Sequence, residues 1–349
     1  MNDMKKRDIK SLLPAQIGEY FDSIGERTFR AGQVFKWLHS GITSFFEMTN
    51  LPDDLRKRLD EEFYITAPEL AKKQVSGRDG TIKYLWSMSD GAAIESVVME
   101  YEHGNTVCVS TQVGCRMGCV FCASTIGGLV RDLAASEILD QVLFSQSESG
   151  KKISNIVLMG IGEPLDNYEN VVQFLKLITH PSGMNIGARH ISISTCGITE
   201  NIDKLAGHDI QLTLTLSLHA PDDETRTRLM PINRAVGVDK LFEVCGAYFK
   251  KTGRRVSYEY AMIDGINDTL RHAELLARKL KNTGSHLNLI LLSNVAGSPL
   301  RPSSRETLKA FTGSLRQKGV NFTVRRALGG DIDAACGQLR RRALNNRSG

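Results

Sequence analysis

Six short, β-rich runs recur between residues 106 and 292: TVCVST (106–111), NIVLM (155–159), HISIS (190–194), LTLTLSL (212–218), SYEYAMI (257–263) and LNLILL (287–292). Between most of them lie segments with apolar residues at helical spacing, such as AASEILDQVLFSQ, NYENVVQFLKLIT and RHAELLARKLK. A chain that alternates strands with helices joins its strands by crossovers, and crossovers make the sheet parallel. Six such units are too few for a closed eight-fold barrel and suit a partial (βα)6 barrel. A flavodoxin-like or Rossmann sheet is the structural rival. The α/β region is expected over residues 105–325.

Residues 1–75 read as a helical domain: IGEYFDSIG, RAGQVFKWLHSG and LPDDLRKRLDEEF carry helical spacing, punctuated by Gly32, Gly41 and Pro52. TIKYLWSM and AAIESVVMEY then alternate as strands, so residues 76–104 read as a connecting β element. The tail, 326–349, and the residue before it are basic: Arg325, Arg326, Arg340, Arg341, Arg342 and Arg347 stand against Asp331 and Asp333. A solvated terminus is the plain reading of such a run. The net charge of +5 permits a nucleic-acid partner without demanding one. No apolar run approaches the roughly 18 residues of a membrane span. The opening MNDMKKRDIKSLLP lacks the apolar stretch of a secretory signal, so a cytoplasmic, membrane-free protein is expected.

Four of the seven cysteines, Cys108, Cys115, Cys119 and Cys122, fall within fifteen residues. In a reducing compartment such clustering points to metal or redox chemistry rather than to a disulfide framework. The triplet Cys115-x3-Cys119-x2-Cys122 follows the first expected strand of the parallel sheet, on the face where α/β folds place their active sites. Structural zinc wants four ligands, and no nearby Cys or His supplies a fourth at suitable spacing. Three thiolates on a four-iron cluster leave one iron open to bind a small molecule and pass it an electron. In MGIGEP (159–164), Gly160 and Gly162 let backbone approach a ligand closely, and Glu163 offers a carboxylate. Ser194, Ser217 and His219 fall at expected strand ends, where short polar groups can bind a ribose or a carboxylate.

The Cys-x3-Cys-x-aromatic-Cys spacing, with Phe121 as the aromatic, resembles the signature of radical S-adenosylmethionine enzymes. FRAGQVFKWLH, FFEMTNLPDDLR, VSTQVGCRMGCVFCAS, MGIGEP, SLHAP, LMPIN and DIDAACGQLR together resemble the RlmN branch of the RlmN/Cfr family of RNA adenosine methyltransferases, over nearly the whole chain. The fold this implies is a partial (βα)6 radical SAM barrel with an N-terminal helical accessory domain and a C-terminal catalytic tail. The resemblance implies a [4Fe-4S] cluster on Cys115, Cys119 and Cys122. It also implies two S-adenosyl-L-methionine molecules per turnover, one as methyl donor and one as radical source. Gly162, Glu163, Ser194, Ser217, Leu218, His219 and Asn294 become cofactor contacts. Cys336 becomes a methyl-carrying catalytic cysteine, Cys108 a second essential cysteine and Glu95 the base, although a strand glutamate is more often on a solvated face. Cys196 and Cys245 match no such role and read as structural.

Adenine carbon 2 is electrophilic in character, so direct displacement of the S-adenosylmethionine methyl by the ring is closed to it. A methyl parked on a thiolate and delivered as a carbon radical avoids that obstacle. The resemblance implies an adenosine of 23S rRNA as substrate, and in some members the adenosine beside a tRNA anticodon. It also implies a flavodoxin- or ferredoxin-type electron donor, and a monomer is expected. Methylation at carbon 8 is the rival within the family; a non-catalytic iron–sulfur or zinc RNA-binding protein is the rival outside it.

Overall fold

A computed structural model describes residues 6–281, 283–292, 299–326 and 328–332. Asn294, Cys336 and the arginines from Arg340 onward lie outside the described residues.

The N-terminal unit is held by a short parallel pair, β1 (Arg7–Asp8) and β2 (Phe63–Tyr64). Between them lie α1 (Pro14–Ser23), α2 (Arg30–Leu38) and α3 (Asp53–Glu62). Pro14 opens α1 at a position where its missing N–H is harmless. Ile17, Phe21, Val34, Phe35, Leu38 and Leu59 are buried at helical spacing. The unit is pinned to the rest of the chain by Lys10, whose ammonium lies 2.7 Å from Asp140 with both side chains fully buried.

The helical segment stops short of the expected residue 75. Glu69–Val75 is a strand, β3, paired antiparallel with β4 (Ile82–Ser87), which pairs with β5 (Ala93–Tyr101). These strands do not form a separate element. β5 pairs antiparallel with β6 (Gly104–Cys108), and so they extend the main sheet. After β6 comes a small ribbon of β7 (Gln112–Gly114) and β8 (Leu129–Asp132). Then α4 (Ala135–Ser149), β9 (Ile153–Leu158), α5 (Tyr168–Thr179), β10 (Ile191–Thr195), α6 (Thr199–Leu205) and β11 (Thr213–Ser217) alternate. The chain continues through α7 (Asp223–Leu229), α8 (Val238–Thr252), β12 (Ser257–Met262), α9 (Leu270–Leu280), β13 (His286–Leu291), α10 (Arg305–Gln317) and β14 (Phe322–Val324).

Among the described residues the main sheet has ten strands in the order β14-β13-β12-β11-β10-β9-β6-β5-β4-β3. From β6 to β14 every neighbouring pair is parallel. The six expected strands are all there, and β14 adds a seventh. Its apolar signal is only three residues long, too short to stand out beside the other runs.

The pleat sorts the side chains. Ile191 and Ile193 of β10, Leu214 and Leu216 of β11 and Leu287 and Leu289 of β13 are buried in one continuous core with Val142, Leu175, Leu241 and Leu276 of the helices. The alternate residues face the other way. Register puts Cys108 beside Val157, Ser194 beside Thr215, and Ser217 beside Glu259 on that inner face. The inner face is therefore polar, and the site is built on it.

Candidate cluster and cofactor site

The cysteine loop is a closed hairpin. β7 and β8 form its stem, and Cys115 N–H donates to the Gly128 carbonyl at 3.1 Å. Gly114 sits at φ +83°, and a Cβ there would lie 2.0 Å from the Gly128 oxygen, so only glycine closes this stem. At its tip, Val120 N–H donates to the Leu229 carbonyl at 3.0 Å, which docks the loop on the end of α7. Arg116 binds Asp166 through two bonds, of 2.9 and 2.5 Å, tying the loop to the chain after MGIGEP.

Cys115, Cys119 and Cys122 line one cavity of about 400 Å3, together with Met117, Phe121, Gly160, Gly162, Glu163, Ser194, Ser217 and His219. Burial pushes the Cys115 thiol up to about 11 and the Cys119 thiol up to about 12, with the neighbouring thiolates adding to both. Such thiols ionise only beside a compensating cation, the setting a metal cluster supplies. Among the described residues no three His, Cys, Asp or Glu side chains are grouped to hold a single metal ion. The donor set, three thiols lining one cavity, is one that an iron–sulfur cluster can take.

MGIGEP packs against the strand that feeds the loop. A Cβ on Gly160 would lie 2.6 Å from the Val109 oxygen, and one on Gly162, at φ +109°, 2.6 Å from Gln112 Cβ. Glu163 is buried and braced: Oε1 accepts the Leu165 N–H at 3.0 Å and Oε2 the Cys196 N–H at 2.8 Å. Burial raises its pKa, and the Cys196 N–H works against that. Gln112 accepts the Glu163 N–H at 2.9 Å and donates to Asp166 and Asp132 at 3.0 and 2.8 Å.

Ser194 and Ser217 share a hydrogen bond of 3.2 Å across β10 and β11. Leu218 does not join them: its side chain is fully buried in the outer core, because the pleat that turns Ser217 inward turns the next residue out. His219 returns to the cavity through a backbone at φ +56°. Its Nδ1 accepts the Ala261 N–H at 2.9 Å, which puts the ring proton on Nε2. Burial, with the Arg226 charge adding, holds His219 at about 3, so it is a neutral donor near pH 7.

Several members of the site carry no motif signal. Arg226 of α7 is buried and donates to the carbonyls of Cys196, Ser217 and Leu218 at 2.7, 3.2 and 3.1 Å and to Asn233 Oδ1 at 2.9 Å. It fastens two strand ends behind the cavity. Cys196, read as structural, is in the cavity wall. Glu259 and Arg325 also line it, 2.9 Å apart. Parity with Ser217 across β11 and β12 is the signal that marks Glu259, and it becomes visible only once the register is known.

Cys108 and Glu95 are not among the cavity-lining residues. Cys108 is buried on the inner face of β6, beside Val157 and Val97. Glu95 is buried, not solvated, and its Oε2 lies 2.8 Å from the Lys83 ammonium. Cys245, on the buried face of α8, belongs to the core. Among the described residues no helix is long and apolar enough to cross a membrane.

Comparison with known proteins accounts for both halves of this arrangement. Residues 109–276 match the Radical SAM superfamily, and residues 8–65 match the ribosomal RNA large subunit methyltransferase N-terminal domain. The chain is 49% identical over 323 residues to a probable dual-specificity RNA methyltransferase RlmN of Clostridium tetani, covering 93% of each chain. It is 48% identical to a protein of the same description from Alkaliphilus oremlandii, covering 98% of this chain and 100% of that one. Its fold is similar to the crystal structure of a radical SAM methyltransferase from Sphaerobacter thermophilus, with a TM-score of 0.90, 41% identity, and coverage of 95% and 98%. Matched from the N-terminal helices through the cysteine loop and the parallel sheet, the chain belongs to the RlmN family of radical SAM RNA methyltransferases.

Proposed function

We propose that this protein methylates carbon 2 of an adenosine in 23S rRNA, and the adenosine beside the anticodon in some tRNAs. The observation that carries the reading is the single cavity that gathers the three thiols, the MGIGEP turn, the Ser194–Ser217 pair and His219. When bound, a four-iron cluster on Cys115, Cys119 and Cys122 supplies the electron that cleaves S-adenosylmethionine to a 5′-deoxyadenosyl radical. Backbone at Gly160–Gly162 and the Glu163 carboxylate take the cofactor's ammonium, and the two serines and His219 take its hydroxyls or carboxylate.

Two cofactor molecules are used per turnover. The Cys336 thiolate first takes a methyl group by displacement. Hydrogen abstraction from that methyl leaves a carbon radical, which bonds to adenine carbon 2 and joins protein to RNA. One electron would return to the cluster, which cleavage of S-adenosylmethionine leaves oxidised, and the ring proton would pass to Glu95 or Cys108. The Cys108 thiolate attacks the Cys336 sulfur; the sulfur–carbon bond breaks and the released carbon takes a proton. A Cys108–Cys336 disulfide remains, and a two-electron reductant restores both thiols. A flavodoxin- or ferredoxin-type protein feeds the cluster, and the enzyme acts as a monomer in the cytoplasm. The target base is presented from a single-stranded or distorted segment, which allows extrusion into the cavity.

The test is anaerobic reconstitution with iron and sulfide, followed by S-adenosylmethionine and dithionite. The reading expects 5′-deoxyadenosine, and peptide maps of protein isolated from cells with a methyl group on Cys336. Protein that stays active while never carrying that methyl would overturn the two-stage route. Protein that forms no 5′-deoxyadenosine would be a binding protein.

A further inference from the structure

Glu259 is 3% exposed and lines the cavity, yet its two carboxylate oxygens are treated differently. Oε1 accepts from Asn288 Nδ2 at 3.1 Å and from the Arg325 guanidinium at 2.9 Å. Oε2 is buried and has no hydrogen-bond partner among the described residues. An ionised oxygen buried without a donor is unfavourable, so such an atom marks a place where a ligand completes the bonding. The same cavity is also lined by the apolar side chains of Phe121, Met230, Ile290 and Leu292. Beside the open acceptor stands Arg325, a planar donor with further N–H groups to give.

An acceptor next to a donor, set among apolar walls, is complementary to one edge of adenine. On its N1 side that edge offers the 6-amino group as donor and N1 as acceptor, whereas a 6-oxo purine offers the reverse there, O6 accepting and N1–H donating. We propose that Glu259 and Arg325 read the amino edge of an adenine, Oε2 accepting the N6–H and the guanidinium donating to the adjoining ring nitrogen. The inference rests on the reading that this cavity serves an S-adenosylmethionine-dependent RNA adenosine methyltransferase. Adenine comes to such a site from two sources, the cofactor and the target nucleotide. The recognition chemistry is the same for both. A glutamate fixed by Arg325 and Asn288 makes it selective, because a 6-oxo group would meet the carboxylate with like partial charge.

The experiment measures equilibrium binding to cluster-reconstituted protein in two matched pairs. The first is S-adenosylmethionine against its analogue with purine in place of adenine. The second is a short RNA hairpin with one target adenosine against the same hairpin with purine riboside. In the wild type, losing the amino group in one pair should weaken binding about tenfold or more, the range for a charge-assisted hydrogen bond. Glu259→Gln should erase that difference, and Arg325→Met, a change at a half-exposed side chain, should reduce it, so the test stands even where the glutamine variant does not fold. Discrimination in the first pair assigns the cofactor's adenine; discrimination in the second assigns the target's. Equal binding within both wild-type pairs overturns the proposal, as does discrimination that persists unchanged in both variants. Wild-type protein that binds neither S-adenosylmethionine nor RNA would overturn the underlying reading along with it.

Discussion

Glu163 reaches from the turn after β9 to the backbone after β10, where its Oε2 accepts the Cys196 N–H at 2.8 Å. With Oε1 on Leu165, one buried carboxylate fixes both loops that form this side of the cavity. Glu163→Ala should therefore lower stability by about 2–3 kcal/mol, since two N–H groups lose their acceptor in a buried site. It should also weaken S-adenosylmethionine binding. Urea denaturation and equilibrium binding check both, and Glu163→Gln should recover most of the stability but little of the affinity.

Gly114→Ala should prevent the cysteine loop from closing. The added Cβ meets the Gly128 carbonyl at 2.0 Å, and the backbone at φ +83° is unfavourable for alanine, a penalty of about 1–2 kcal/mol before the clash. The expected outcome is folded protein with a far-UV spectrum like the wild type and strongly reduced iron after reconstitution. Wild-type iron content would mean that the stem does not set the thiols.

Single alanine substitutions at Cys115, Cys119 or Cys122 should each abolish the brown chromophore and 5′-deoxyadenosine formation, because two thiolates leave the cluster without a third anchor. Iron content and product chromatography are the readouts. Retained iron and product in any one variant would remove that cysteine from the ligand set.

Much of this architecture was legible in the chain because its strands are buried on both sides by different chemistries. Leu-Thr-Leu-Thr-Leu-Ser-Leu announces β11 and also says that one face is polar. The cysteine triplet and MGIGEP were visible because their spacing is local. What stayed hidden depends on register between strands far apart in sequence. Glu259 becomes a cavity residue only by pairing with Ser217, forty-two positions away. Arg226 matters because α7 brings it under two strand termini. Leu218 was read with its neighbours, but a strand shows alternate residues to opposite faces. Glu95 gave no sign of its buried partner, since Lys83 meets it only across β4 and β5.

Acid should destabilise the protein through His39. Burial is the main reason its pKa falls to about 4, and both ring nitrogens are buried without hydrogen-bond partners among the described residues. Between about pH 6.5 and 4 the unfolded chain protonates this histidine while the folded chain does not, so stability is full above that window and falls as pH drops through it. His39→Phe keeps the ring volume and removes the titration. From pH 7 to 5 it should lose about 2 kcal/mol less than the wild type in urea melts. Parallel losses would show that His39 charges freely in the folded state.

Cys108→Ala should halt the reaction after RNA attachment and before release. Cys108 lies on the inner face of β6 beside Val157 and is not among the residues that line the cavity, so its removal should leave the cluster loop intact. Denaturing gels should show a boiling-resistant protein–RNA band that disappears when Cys336→Ala is added. Normal turnover by Cys108→Ala would assign the resolving thiolate elsewhere.

The most direct measurement is mass spectrometry of nucleosides from 23S rRNA lacking the modification, after anaerobic incubation with reconstituted protein, S-adenosylmethionine and a reductant. The account predicts 2-methyladenosine, formed together with 5′-deoxyadenosine and absent when any of Cys115, Cys119 or Cys122 is replaced. Production of 8-methyladenosine, or of 2-methyladenosine without 5′-deoxyadenosine, would contradict it.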